Sequence, residues 1–296
     1  MPGRTNVFVA IWLLFLAAAQ TFAFVEVLRF FVRTGHGQLL DTAALTGNSI
    51  GWAKIEDLVG TTLNAISVLS LVVATVVIVF IALARGRIVL AVAAILLIAG
   101  ANVTTQLVKY VTIRPNLGID VERAAAGNSL PSGHTAVVGS VAVALVLVLP
   151  ARVRGVGAVV GASLAALAGV ATLSAGWHRP SDAVAALLIV GAWAAAAGLL
   201  LIAAQRVEPV ATREPVRSPH RVAVALLVVA GVALLAVAAV ALNLTEQVLD
   251  VPADELSRRR LFAAYAGGAA GIAGTAAMVT ALVLATVHRV VPPRAA

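Results

Sequence analysis

The stretch NSLPSGHTAVVGSVAVALVLVLP, residues 128–150, places Pro131, Ser132, Gly133 and His134 directly in front of a continuous apolar run. That run is rich in Ala, Val and Leu and lacks the alternation of a half-exposed strand. In hydrocarbon such a backbone satisfies its own hydrogen bonds only as a helix. Runs suited to a hydrocarbon core about 30 Å thick recur along the chain, at 7–28, 63–84, 88–108, 135–150, 156–176, 183–204, 222–242 and 262–287. The composition agrees. Of 296 residues 61% are hydrophobic and 11% charged, and the mean hydropathy of +1.03 excludes a soluble globule. The expected fold is all-α, a polytopic membrane helix bundle of eight spans, and continuous runs of this kind argue against a β-barrel.

The first span also carries signal-peptide features: Arg4, an apolar stretch from Val7, then small residues around Ala17 to Ala23. There is no cysteine, which removes disulfides, thiolate metal sites and a cysteine nucleophile. With the amino terminus inside, the tight basic turns ARGR (84–87) and ARVR (151–154) fall on the inner side, as do slightly more than half of the 21 Lys and Arg residues. Arg258 to Arg260 then fall outside. In this arrangement three polar clusters meet on the outer face: LVKYVTIRPN (107–116) closing the third span, the PSGH stretch opening the fourth, and SAGWHRPSD (174–182) between the fifth and sixth.

Each cluster alone has a plainer reading. His178 beside Trp177 reads as an interfacial belt, Lys109 and Arg114 as cations snorkelling to headgroups, and Pro131 to Gly133 as a turn and helix start. Their joint arrival at neighbouring helix mouths is what those readings do not foresee. Lys109 and Arg114 supply positive charge, and an arginine can fork two donors onto one phosphate. Ser132 and Gly133 precede a helix, where free N–H groups and the dipole favour an anion and glycine permits close approach. His178 can act as a nucleophile if Asp182 holds its other ring nitrogen, and His134 suits a general acid for a leaving oxygen. Pro180 is expected to open the sixth span.

These residues resemble the type 2 phosphatidic acid phosphatases, or lipid phosphate phosphatases. Residues 131–134, PSGH, match the second motif of that family in full. HRPSD supplies the His and Asp of the third motif, His178 and Asp182. KYVTIRP looks like the first, with four residues between Lys109 and Arg114 where the family usually has six. The third motif of the family begins Ser-Arg, and here those positions hold Ala171 and Thr172, so one phosphate-binding arginine is missing. Arg179, or Arg258 to Arg260, are the substitutes within the sequence.

The resemblance implies a six-helix phosphatase core over residues 1–204, a cytoplasmic linker over 205–221 that is proline-rich, and a two-helix membrane extension over 222–296. It implies a metal-independent enzyme without cofactor that hydrolyses a lipid phosphomonoester or diphosphate through a phosphohistidine on His178. His134 and Asp182 assist, and Lys109, Arg114, Ser132, Gly133 and Arg179 hold phosphate. Polyprenyl phosphates or diphosphates, phosphatidic acid and phosphatidylglycerol phosphate fit a site on the extracytoplasmic side of the cell membrane of an alanine-rich, bacterial-type chain. Membrane lipids are the expected partners and nucleic acid is not. A lipid-linked phosphotransferase, and an impaired relative acting in lipid transport or assembly, are the rival readings. Gly267, Gly268, Gly271 and Gly274 mark a close-packing face on the eighth span, for packing within the chain or for a homo-oligomer. The outer segment 29–62 is long enough for a membrane-lying lid, with Trp52 at the interface.

Overall fold

The computed structural model describes residues 2–49, 60–61, 63, 68–119, 127–205, 220–247 and 256–291. Over these the chain is helical: α1 Pro2–Val27, α2 Gly35–Thr46, α3 Val68–Ala84, α4 Ile88–Val111, α5 Gly133–Val148, α6 Ala151–Ser174, α7 Pro180–Gln205, α8 Arg221–Glu246 and α9 Arg258–Val290. A π-helical turn, Leu28–Val32, extends α1, and a 3-10 turn, Gly47–Ser49, follows α2. Among the described residues six helical stretches are long and apolar enough to cross a membrane, and α3 and α5 are shorter apolar helices of 17 and 16 residues. The chain is a multi-pass, all-α membrane bundle.

The helix ends follow the local chemistry. Ser132 caps α5 by accepting from the Thr135 N–H at 3.4 Å, and Pro150 precedes α6. Pro180 opens α7 as expected, in the first position where a missing N–H costs nothing, and Asp182 lies in the first turn. The basic turns have a structural task. Arg154 donates to the carbonyl oxygens of Leu147 and Leu149, at 3.4 and 2.9 Å, and Arg85 donates to that of Val148, so both arginines satisfy carbonyls at the end of α5.

Helix α7 lies at the centre, against α1, α4, α5 and α9. Leu97, Ile98, Val143, Leu147, Val190 and Leu284 fill the main core, and small residues let the backbones close in. A Cβ on Gly100 would come within 2.5 Å of Trp193, whose indole N–H donates to Thr104 at 3.0 Å. Asn102 donates to Ser140 at 3.0 Å, joining α4 to α5.

Two expectations outside the motifs meet the structure directly. Over its described part, the segment after the first span is packed into the bundle. Eight residues of α2 are buried, and the helix packs against α9 and the turn after α1, because its apolar face (Leu40, Ala43, Ala44, Leu45) has a partner surface there. Trp52 falls outside the described residues, as does the linker at 206–219. The glycines of α9 face helices of their own chain: Gly267 meets Ala241, Gly268 meets Pro180 and Gly274 meets Leu235.

Candidate active site

The end of α6 sets the position of the histidine. Gly176, at φ +69°, reverses the chain, and the carbonyl oxygen of Thr172 accepts from the backbone N–H groups of Trp177 and His178, at 3.0 and 3.2 Å. His178 is thereby held over the mouth of α7. Its Nδ1 lies 3.1 Å from Oδ2 of Asp182, and both side chains are buried. The same carboxylate oxygen accepts from the Arg179 N–H at 3.1 Å. Asp182 therefore caps the start of its own helix and orients the imidazole.

The cations close around this pair. Arg114, on the extended segment after α4, is buried with Nη2 3.8 Å from Oδ1 of Asp182, and its Nη1 donates to the carbonyl oxygen of Phe31 at 3.4 Å. Arg179 is buried too, and its Nη1 donates to Ser129 at 3.4 Å. Lys109, half-buried on the last turn of α4, lies within electrostatic reach of Asp182 and His134. The missing arginine is not replaced in place. Thr172 is fully buried, with its hydroxyl donating to the carbonyl oxygen of Gly169 at 2.8 Å, whereas Arg179 is the residue next to His178 and its guanidinium reaches Ser129. Arg258 to Arg260 are exposed on the first turn of α9.

The PSGH stretch completes the ring. The Ser132 N–H donates to the carbonyl oxygen of Asp182 at 2.9 Å, and the Ser132 hydroxyl oxygen accepts from the Thr135 hydroxyl at 3.0 Å. Gly133 begins α5, where a Cβ would meet only the end of the Gln106 side chain, at 3.4 Å. His134 is half-buried, with its ring 5.4 Å from that of Trp177, centroid to centroid, so the tryptophan steadies the imidazole. Lys109, Arg114, Ser132, Gly133, His134, His178, Arg179 and Asp182 thus share one end of the bundle, formed by the close of α4 and α6 and the opening of α5 and α7.

Residues 88–208 match the family model of the PAP2 superfamily. The match spans α4 to α7 and covers every residue of that ring, and with it the type 2 phosphatidic acid phosphatase resemblance is borne out. No curated protein and no solved structure matches the chain. The PAP2 superfamily match supports, coarsely, phosphatase activity on phosphate esters for this membrane-embedded segment.

One residue of the neighbourhood lies outside the PAP2 segment and was not legible beforehand. Asp41 of α2 is buried, and its carboxylate accepts from the Ser181 N–H at 3.2 Å and from the Ser181 hydroxyl. Burial and the nearby Asp182 carboxylate push Asp41 up to about 6, against the Ser181 hydrogen bond and the Arg114 and Arg179 guanidiniums, which pull it down. Behind Asp41 and Ser181 lies an apolar cavity of about 240 Å³ between α2, α7, α8 and α9; His134, His178 and Lys109 do not line it. A lone acid in a polar connection has no spacing that announces it.

Proposed function

We propose that the chain releases phosphate from a lipid phosphomonoester or diphosphate at the outer membrane face, through a phosphohistidine on His178. The observation that carries this reading is the buried His178–Asp182 pair, at 3.1 Å, among buried arginines. With Nδ1–H donated to Asp182, the lone pair resides on Nε2, the nucleophilic nitrogen.

Nε2 attacks phosphorus in line, forming the N–P bond as the P–O bond to the lipid breaks. Arg114, Arg179, Lys109 and the free N–H groups at the mouth of α5 hold the equatorial oxygens. His134 gives its proton to the departing lipid oxygen. It then takes one from the water that cleaves the N–P bond, so the histidine returns to its starting state and phosphate leaves. Substrates with headgroups exposed on that face, such as polyprenyl phosphates or diphosphates, phosphatidic acid and phosphatidylglycerol phosphate, suit such a site.

Phosphate release by the purified protein in detergent, with EDTA present and His178→Ala alongside, tests the reading. Release from at least one lipid phosphate that the substitution abolishes supports it. Release that survives the substitution, or none from any lipid phosphate, overturns it.

A further inference from the structure

Among the described residues, Asp41 is the one carboxylate outside the PAP2 segment that touches the first turn of α7. It comes from α2, about 140 residues earlier, and takes both polar hydrogens that Ser181 offers. Ser181 lies between Pro180 and Asp182. Pro180 has no N–H, so the Ser181 N–H is the first backbone donor of α7 and has no partner within the helix. Asp182 caps the Arg179 N–H from within α7, and at the Ser181 N–H a residue from another helix performs the capping that a local side chain usually performs.

The consequences extend to both halves of the site. Asp182 is the next residue; its carboxylate holds the His178 ring and its carbonyl oxygen holds the Ser132 N–H. The first turn of α7 thus fixes the nucleophile on one side and the mouth of α5 on the other. Its anchor is a buried carboxylate with an apolar cavity behind it. Placing the Asp41 carboxylate beside Asp182 opposes its ionised form, a cost that a plain structural contact would avoid by using a neutral side chain.

We propose that Asp41 is a positioning residue for the reaction: by gripping Ser181 it holds the first turn of α7 so that Asp182 keeps His178 in its attacking orientation. The proposal rests on the phosphohistidine reading for its kinetic consequence, but its geometric content stands apart from it. The charged groups facing Asp41 are Asp182 on α7, Arg179 just before it and Arg114 after α4.

The test uses Asp41→Ala, which removes both acceptors, and Asp41→Asn, whose amide oxygen accepts from the Ser181 N–H while its amide N–H donates to the hydroxyl oxygen. On the full chain in detergent, kcat is expected to fall at least tenfold in Asp41→Ala with KM within about twofold, and Asp41→Asn is expected to recover most of that loss. Ser181→Ala, which removes the hydroxyl alone, is expected to lie between, and it carries the comparison should Asp41→Ala not fold. The second readout is independent of turnover. In protein labelled with 15N at its five histidines, the His178 Nδ1 signal, assigned by its loss in His178→Ala, is expected to move in Ser181→Ala and Asp41→Ala and to stay in Asp41→Asn. Unchanged kcat and an unmoved His178 signal in the Ala variants, or equal losses in Asp41→Ala and Asp41→Asn, would overturn the proposal. Absence of turnover in the wild type would overturn the phosphatase reading alone, and the Nδ1 signal would still decide the role of Asp41.

Discussion

The backbone N–H of Ser132 donates to the carbonyl oxygen of Asp182 at 2.9 Å. Fifty residues of sequence and two membrane helices separate these positions, yet the hydrogen bond ties the mouth of α5 to the first turn of α7. In the proposed reaction, phosphate held at the first would be presented to the histidine held by the second.

Asp182→Asn keeps the volume of the side chain but offers an amide N–H where the imidazole needs an acceptor. The ring then turns or takes the wrong tautomer, and kcat is expected to fall by about 10²- to 10⁴-fold with a smaller change in KM. Initial rates of phosphate release in detergent check this; a kcat within threefold of wild type would show that Asp182 is not the orienting acid.

Arg179 is buried beside His178, and no arginine stands at Thr172 to share its task. Losing a charge-assisted contact to phosphate costs about 1.5–3 kcal/mol, so Arg179→Ala is expected to raise KM by about 10- to 100-fold. Competition by inorganic phosphate should weaken in parallel. An unchanged KM would exclude Arg179 as the substitute for the missing arginine.

Gly133→Ala separates the room needed by the fold from the room needed by the anion. The added methyl meets only the flexible end of Gln106, at 3.4 Å, so the melting temperature is expected to stay within about 2 °C of wild type. Activity is expected to drop at least tenfold, because the methyl stands where an anion approaches the N–H groups of α5. Full activity in a stable variant would place the phosphate elsewhere.

Asp41 makes a distinct mark on stability. Its carboxyl is pushed above its ordinary 3.8 to about 6, so the native state favours the protonated form. This contribution is fully present below about 3.8 and is lost as pH rises through 6. Between pH 4 and 7 wild type should therefore lose stability relative to Asp41→Asn, on the order of 2–3 kcal/mol. Melting temperatures of the two proteins across that range measure it; parallel curves would contradict the raised value.

Much of this was readable in the sequence because the bilayer imposes a strong pattern. Long apolar runs fixed the helices, and the residues that interrupt them near helix mouths, Lys109, Arg114, PSGH and HRPSD, are costly there without a task. The start of α7 at Pro180 followed from proline chemistry. Tertiary relationships were harder to see. Asp41 belongs to a helix whose apolar face is only four residues wide and lacks a motif, so its segment read as a membrane-lying lid. Ser132 touches Asp182 through backbone atoms, which carry no residue-specific signal. The arginines of the inner turns read as topology markers because their capping of α5 carbonyls depends on how the chain returns.

Trapping the covalent intermediate tests the account most directly. Wild type and His178→Ala are mixed rapidly with a lipid phosphate carrying 32P, quenched in alkali and separated from lipid. Wild-type protein is predicted to hold a label that is stable in alkali and released by acid, as a phosphohistidine is, and His178→Ala to hold none. A wild-type enzyme that turns over without any such label, or a label that persists in His178→Ala, would contradict it.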